Sequence, residues 1–137
     1  MAKVVDPMIA ALEKILCVED EPDVQSVIKL ALGRVGKFDV MVCGNGHEAL
    51  LEGPGFGPDL MVIDSLMPGM SGPNFLTAAR KTPELAAVPA IFLTGKTNPD
   101  DLKHYRSVGA VGIIAKPFDV RGLSNEVHKI WNALDQS

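Results

Sequence analysis

Short apolar runs alternate with amphipathic segments about five times along the chain. Ile15-Leu16-Cys17-Val18 reads as a brief buried strand that ends in the acids Glu19, Asp20 and Glu21. Val24, Val27, Ile28, Ala31 and Val35 then recur at steps of three and four, the period of a helix. Pro22 suits the first turn of that helix and Gly36 its C-terminal end. Phe38 to Cys43 reads as a second strand, and Asn45-Gly46 opens a short helix through Ala49, Leu50 and Leu51. The stretch Gly53-Pro54-Gly55-Phe56-Gly57-Pro58 is expected to be a loop, because Gly or Pro punctuates nearly every position.

Leu60-Met61-Val62-Ile63 is a continuous apolar run stopped by Asp64, the mark of a strand buried on both faces. Ser71 to Lys81 reads as a helix with Phe75, Leu76 and Ala79 inward, and Ala90 to Leu93 as a fourth strand ending at Thr94. Asn98 is the expected N-cap of the next helix, with Pro99 at its first position and Asp100 and Asp101 facing the positive end of its dipole. Val111 to Ala115 is the fifth strand, followed by Lys116-Pro117. The last helix carries Val120, Leu123, Val127, Ile130 and Leu134 as one stripe. Trp131 lies one residue off it, so it is read first as core and second as a contact for a partner.

This is a βα unit repeated five times, and right-handed crossovers then predict a parallel sheet with helices on both faces. In such sheets ligands sit outside the carboxyl ends of the strands. That rule gathers Glu19, Asp20, Asp64, Thr94 and Lys116 at one edge, although they are scattered in sequence.

Composition narrows the choice of chemistry. A chain of 137 residues fits one domain, with 47% hydrophobic residues for a core that only 5% aromatics leave mainly aliphatic. A net charge of −4 argues against a nucleic-acid surface. Cys17 and Cys43 lie in apolar runs outside any Cys-x-x-Cys pair and are read as small buried thiols. Asp6, Pro7, Glu13 and Lys14 interrupt the N-terminus, and no stretch approaches the length of a membrane span. The expectation is a soluble, cytoplasmic protein, with residues 1–13 as an N-terminal extension and 14–137 as the domain.

Three carboxylates converging in one cleft repel one another and call for a cation. Oxygen donors without Cys or His favour Mg²⁺, with Mn²⁺ as a substitute. Lys116 adds a mobile positive charge and Thr94 a hydroxyl donor, both suited to phosphoryl oxygens. The assembly fits phosphoryl transfer to a carboxylate. Each residue alone has a blander reading: a turn threonine, a solvated lysine, an acidic helix start in which Asp20 serves as the cap. Five such residues at successive strand ends are hard to explain as caps.

From about Lys14 to Leu134 the sequence resembles the receiver domain of two-component response regulators. The matching stretches are Ile15 to Glu21, Leu60 to Gly72, Leu93-Thr94 and Ala115-Lys116-Pro117-Phe118. The resemblance implies a flavodoxin-like, CheY-like (βα)5 fold with strand order 2-1-3-4-5. It implies that Asp64 takes a phosphoryl group from a partner histidine kinase or phosphotransfer protein. Glu19, Asp20, Asp64 and the backbone carbonyl of Leu66 would hold Mg²⁺, while Thr94 and Lys116 would bind the phosphoryl oxygens. Glu19 stands where Asp is more frequent, and its longer carboxylate still reaches a metal-bound water. The resemblance further implies that Leu66 and Lys96 occupy positions that tune hydrolysis of the acyl phosphate, where apolar Leu66 would offer nothing to orient water.

The family usually places an aromatic residue three positions before the lysine, where this chain has Ile113. Readout of phosphorylation then falls to another element, for which the helix around Leu102 and Tyr105 is the candidate. Tyr105 stands equally well as a packed helix residue. The expected function is a phosphorylation switch whose last two helices and last strand bind a downstream protein or a second copy. The competing readings are a pseudo-receiver that binds without phosphorylation, a small-molecule enzyme on the same fold, and the receiver part of a longer regulator.

Overall fold

Five apolar runs form five parallel strands: the three central ones, ending at Val18, Asp64 and Thr94, are buried on both faces, and the two that contain Val40 and Ile113 flank them as partly exposed edges. The computed structural model describes residues 11–134 of the chain, so most of the expected N-terminal extension, residues 1–13, lies outside the described residues. In chain order the elements are β1 (Lys14–Val18), α1 (Pro22–Ile28), β2 (Asp39–Cys43), α2 (Gly46–Phe56), β3 (Leu60–Asp64), α3 (Gly72–Ala79), β4 (Ala90–Thr94), α4 (Pro99–Ser107), β5 (Gly112–Ala115) and α5 (Val120–Leu134). The strand order is β2-β1-β3-β4-β5, as expected for a flavodoxin-like sheet. Helix α1 runs on as a wider π-helical segment, Lys29–Val35, which closes at Gly36, whose N–H reaches the Ala31 carbonyl five residues back at 2.9 Å.

Alternate residues of each strand face opposite layers. Leu16, Val18, Met61, Ile63 and Phe92 pack with Ala49, Phe75, Leu76 and Tyr105 from α2, α3 and α4. Ile15, Cys17, Leu60, Val62, Ile91 and Leu93 pack with Ile28, Leu32, Leu123 and Val127 from the other side. Each fully buried Leu or Ile contributes roughly 2 kcal/mol, which is how two thin aliphatic layers hold the sheet with few aromatics. Trp131 belongs to the second layer at 5% exposure, so its core reading holds and its contact reading falls.

Helix α2 departs from expectation. The segment from Gly53 to Phe56 is helical, not loop, and only Gly57 in the left-handed conformation (φ 67°) ends it. Packing overrides propensity here. A Cβ on Gly53 would sit 2.8 Å from Leu16 Cδ2, so the bare glycine lets the helix lie close on β1. The Lys14 ammonium also donates to the Phe56 carbonyl at 3.2 Å and satisfies the helix end. The other caps follow the sequence: Asn45, Ser71 and Asn98 accept from the N–H groups of Glu48, Asn74 and Asp101. Among the described residues no helix is long and apolar enough to cross a membrane.

Candidate functional site

The carboxyl ends of β3, β4 and β5 are drawn together by backbone bonds that outlast the strands. Ser65 N–H reaches the Leu93 carbonyl at 2.9 Å and Lys116 N–H the Thr94 carbonyl at 2.8 Å. Helix α3 starts hard against this edge, since Gly72 N–H bonds the Ser65 carbonyl at 3.0 Å and a Cβ at Gly72 would overlap the Asp64 carbonyl oxygen. The Lys116-Pro117 peptide bond is cis.

Two of the predicted acids are buried here, Glu19 at 0% and Asp64 at 3% exposure. The Lys116 ammonium bridges them, 3.1 Å from Glu19 Oε1 and 3.2 Å from Asp64 Oδ1. Burial would lower the Lys116 pKa, but its hydrogen bond to Glu19 and the charge of Asp64 outweigh that and raise it. Glu19 is pushed up to about 7, first by burial and then by the charge of Asp64, against the pull of the Glu21 N–H and Lys116. Both cysteine thiols are raised by burial, Cys43 to about 12, so neither is a nucleophile.

The acids sort differently from the expected triad. Carboxylate oxygens of Glu19, Asp20 and Glu21 lie within 4.8 Å of one another, while Asp64 is tied to Glu19 through Lys116. Asp20 does not cap α1: the N-cap position is Glu21, and its N–H is taken by Glu19 Oε2 at 3.2 Å. Glu21 was legible only as part of an acidic run. This all-oxygen donor set, with Glu19 fully buried, suits a hard divalent cation such as Mg²⁺ or Mn²⁺.

Leu66 is 56% exposed beside the site, and its N–H contacts Asp64 Oδ1 at 3.3 Å. Lys96 is exposed, and its backbone meets Thr94, with Lys96 N–H donating to Thr94 Oγ1 at 2.9 Å. Thr94 is fully buried, and its hydroxyl faces Lys96 and Tyr105 rather than Asp64 or Lys116. Ile113 is half-buried on β5 opposite Phe92, a packing position with no polar atom. Sequence reasoning did not find the Thr94–Tyr105 contact, because strand-end logic says nothing about which helix residue leans back over the sheet. Beyond Lys116 an open groove of about 390 Å³ is lined by Glu21, Val24, Val27, Pro117 and Phe118.

Comparison with known proteins shows the family. Residues 15–128 match the family model of the response regulator receiver domain. The DNA-binding response regulator MtrA of Mycolicibacterium smegmatis is 32% identical over 111 residues, covering 81% of this chain and 47% of that protein. A probable cyclic di-GMP phosphodiesterase of Vibrio cholerae is 32% identical over 114 residues, 83% of this chain and 25% of its own length. The chain thus spans half or less of these curated relatives. Among solved structures, chemotaxis protein CheY4 of Vibrio cholerae superposes with a TM-score of 0.81 at 28% identity, covering 88% of this chain and 99% of that one. The receiver domain of sensor histidine kinase PA1611 from Pseudomonas aeruginosa, solved with a magnesium ion in its active site cleft, gives 0.76 at 27% identity over 93% of this chain and all of that one. With the strand order, the acidic edge and a match over residues 15–128 in agreement, this chain belongs to the response regulator receiver domain family.

Proposed function

We propose that the chain is a phosphorylation switch of two-component signalling in which Asp64 is the phosphoacceptor. Receiver domains as a family take part in signalling with histidine kinases or phosphotransfer proteins and bind Mg²⁺ in an acidic pocket. The observation that carries the reading for this chain is the Lys116 ammonium set between the buried carboxylates of Asp64 and Glu19. In the proposed step an Asp64 oxygen attacks the phosphorus of a phosphohistidine. The P–N bond breaks as the P–O bond of an acyl phosphate forms, and the imidazole leaves with the electron pair.

The chain's own groups have separable tasks. Lys116 already contacts the Asp64 oxygen and would follow the charge onto the phosphoryl oxygens. Thr94 would donate its hydroxyl to a second oxygen. Glu19, Asp20, Asp64 and the Leu66 carbonyl would hold Mg²⁺, with Glu21 close enough to join them. The bound cation would neutralise charge shared by the acids and the incoming phosphoryl group. Leu66 and Lys96 would set the lifetime of the acyl phosphate. The chain would be a signalling protein rather than a dedicated enzyme, although its own groups promote both transfer and hydrolysis.

The domain is read as residues 14–137, with 1–13 as an extension. Its output surface is α4, β5 and α5, taken by a downstream protein or a second copy, and the negative charge argues against direct contact with nucleic acid. The relatives that carry DNA-binding or phosphodiesterase names support a second reading, the receiver part of a longer regulator. The test is incubation with Mg²⁺ and acetyl phosphate followed by intact mass. A phosphate-sized gain is expected on the wild type and none on Asp64→Asn. No gain on the wild type, repeated with a phosphorylated kinase, would favour a pseudo-receiver.

A further inference from the structure

The Tyr105 hydroxyl lies 3.2 Å from Thr94 Oγ1 in a buried setting. The proton of this pair can be assigned from the other bonds. Thr94 Oγ1 accepts from Lys96 N–H at 2.9 Å and sits 3.3 Å from the Lys96 carbonyl. If Thr94 donated to Tyr105, the phenol proton would have no acceptor among the described residues. If Tyr105 donates to Thr94, the Thr94 proton goes to the Lys96 carbonyl and every group is used. In that arrangement both lone pairs of the Thr94 oxygen are filled, and its proton is the one thing it has to offer.

Tyr105 is also the only buried residue of α4. Its ring rests on Phe92 with centroids 5.1 Å apart at 51°, so this side chain ties α4 to the sheet. Ile113, at the position where the family usually has its aromatic residue, offers no hydroxyl that Thr94 could meet. Thr94 can turn its proton toward a phosphoryl group on Asp64 only by leaving the Lys96 carbonyl, and that rotation swings the lone pairs of its oxygen off the Tyr105 proton.

We propose that Tyr105 is a positioning residue for Thr94: it holds the threonine hydroxyl in the resting orientation, and its release when Thr94 turns to the phosphoryl group frees α4. The proposal rests on Asp64 being the phosphoacceptor and adds the route by which phosphorylation reaches a helix. A bond present only in the resting state biases the protein toward that state. Tyr105→Phe keeps the ring on Phe92 and removes only that bond, so the engaged state gains.

The test is the affinity of the Mg²⁺-loaded protein for beryllofluoride, a phosphoryl analogue that binds aspartate. Loss of one neutral buried hydrogen bond corresponds to about fivefold tighter binding in Tyr105→Phe than in the wild type. In a Thr94→Val background the same change at Tyr105 is expected to alter affinity by less than about twofold, because the partner is already gone. A merely structural tyrosine would lower stability without this dependence on Thr94. Tyr105 is the single tyrosine of the chain, so 3-fluorotyrosine labelling gives one ¹⁹F resonance, which is expected to move on beryllofluoride binding in the wild type. Unchanged or weaker binding in Tyr105→Phe, or a resonance that stays fixed while the analogue binds, would overturn the proposal and leave Asp64 untouched. If the wild type bound no better than Asp64→Asn, the phosphoacceptor reading would fall and this one with it.

Discussion

A buried carboxylate at 0% exposure with its pKa raised from 4.5 to about 7 makes Glu19 a pH-dependent cost to the metal-free protein. Between those two values the folded state binds more protons than the unfolded chain, so stability falls as pH rises through that window. The gap, at roughly 1.4 kcal/mol per pH unit, amounts to about 3 kcal/mol by pH 8. For a chain of this size that is on the order of 10 °C in melting temperature. Glu19→Gln removes the ionisation and keeps an oxygen for the Glu21 N–H, although Lys116 then keeps only Asp64 as its anionic partner. The assay is thermal unfolding of wild type and Glu19→Gln in chelator from pH 5 to pH 8.5. The wild type is expected to lose ground against the variant steadily from pH 5, most steeply up to about pH 7, and Mg²⁺ at pH 8 to restore much of it. A difference between the two curves that stays flat with pH would refute the assignment of a desolvated Glu19.

Three other changes probe the frame around the site. Gly72→Ala would drive a methyl group into the Asp64 carbonyl, costing about 2 kcal/mol in urea unfolding and slowing phosphorylation by displacing Asp64. Arg80 Nη1 donates to the carbonyls of Leu85, Ala86 and Val88 at 3.1, 3.3 and 2.7 Å, so Arg80→Met is expected to destabilise by about 2 kcal/mol with phosphorylation intact. Leu66→Asn places an amide on an exposed position beside Asp64 and should shorten the lifetime of the acyl phosphate severalfold. A variant that loses phosphate no faster than wild type would remove Leu66 from the hydrolysis step.

Much of this molecule was legible in the chain because its strands are aliphatic runs and three of its helices, α2, α3 and α4, begin with side-chain caps. Ser71 and Asn98 announced α3 and α4, and Asp64 and Thr94 marked where strands stop. Helix α2 was not legible past Leu51, since the glycine that argues against a helix at position 53 is what permits its close approach to Leu16. The strand-end rule gathered Glu19, Asp20, Asp64, Thr94 and Lys116 but could not foresee how they pair. That Lys116 holds two acids at once, and that Thr94 turns to Tyr105, depends on side-chain directions that periodicity does not encode.

The central claim is a covalent bond from phosphorus to the Asp64 carboxylate, and trapping that bond tests it directly. After phosphorylation with Mg²⁺ and acetyl phosphate, borohydride reduces an acyl phosphate to an alcohol and turns the modified aspartate into homoserine. Peptide mapping by mass is expected to find homoserine at position 64 alone. Reduction at Asp20, Glu19 or any other carboxylate, with Asp64 unchanged, would contradict the account.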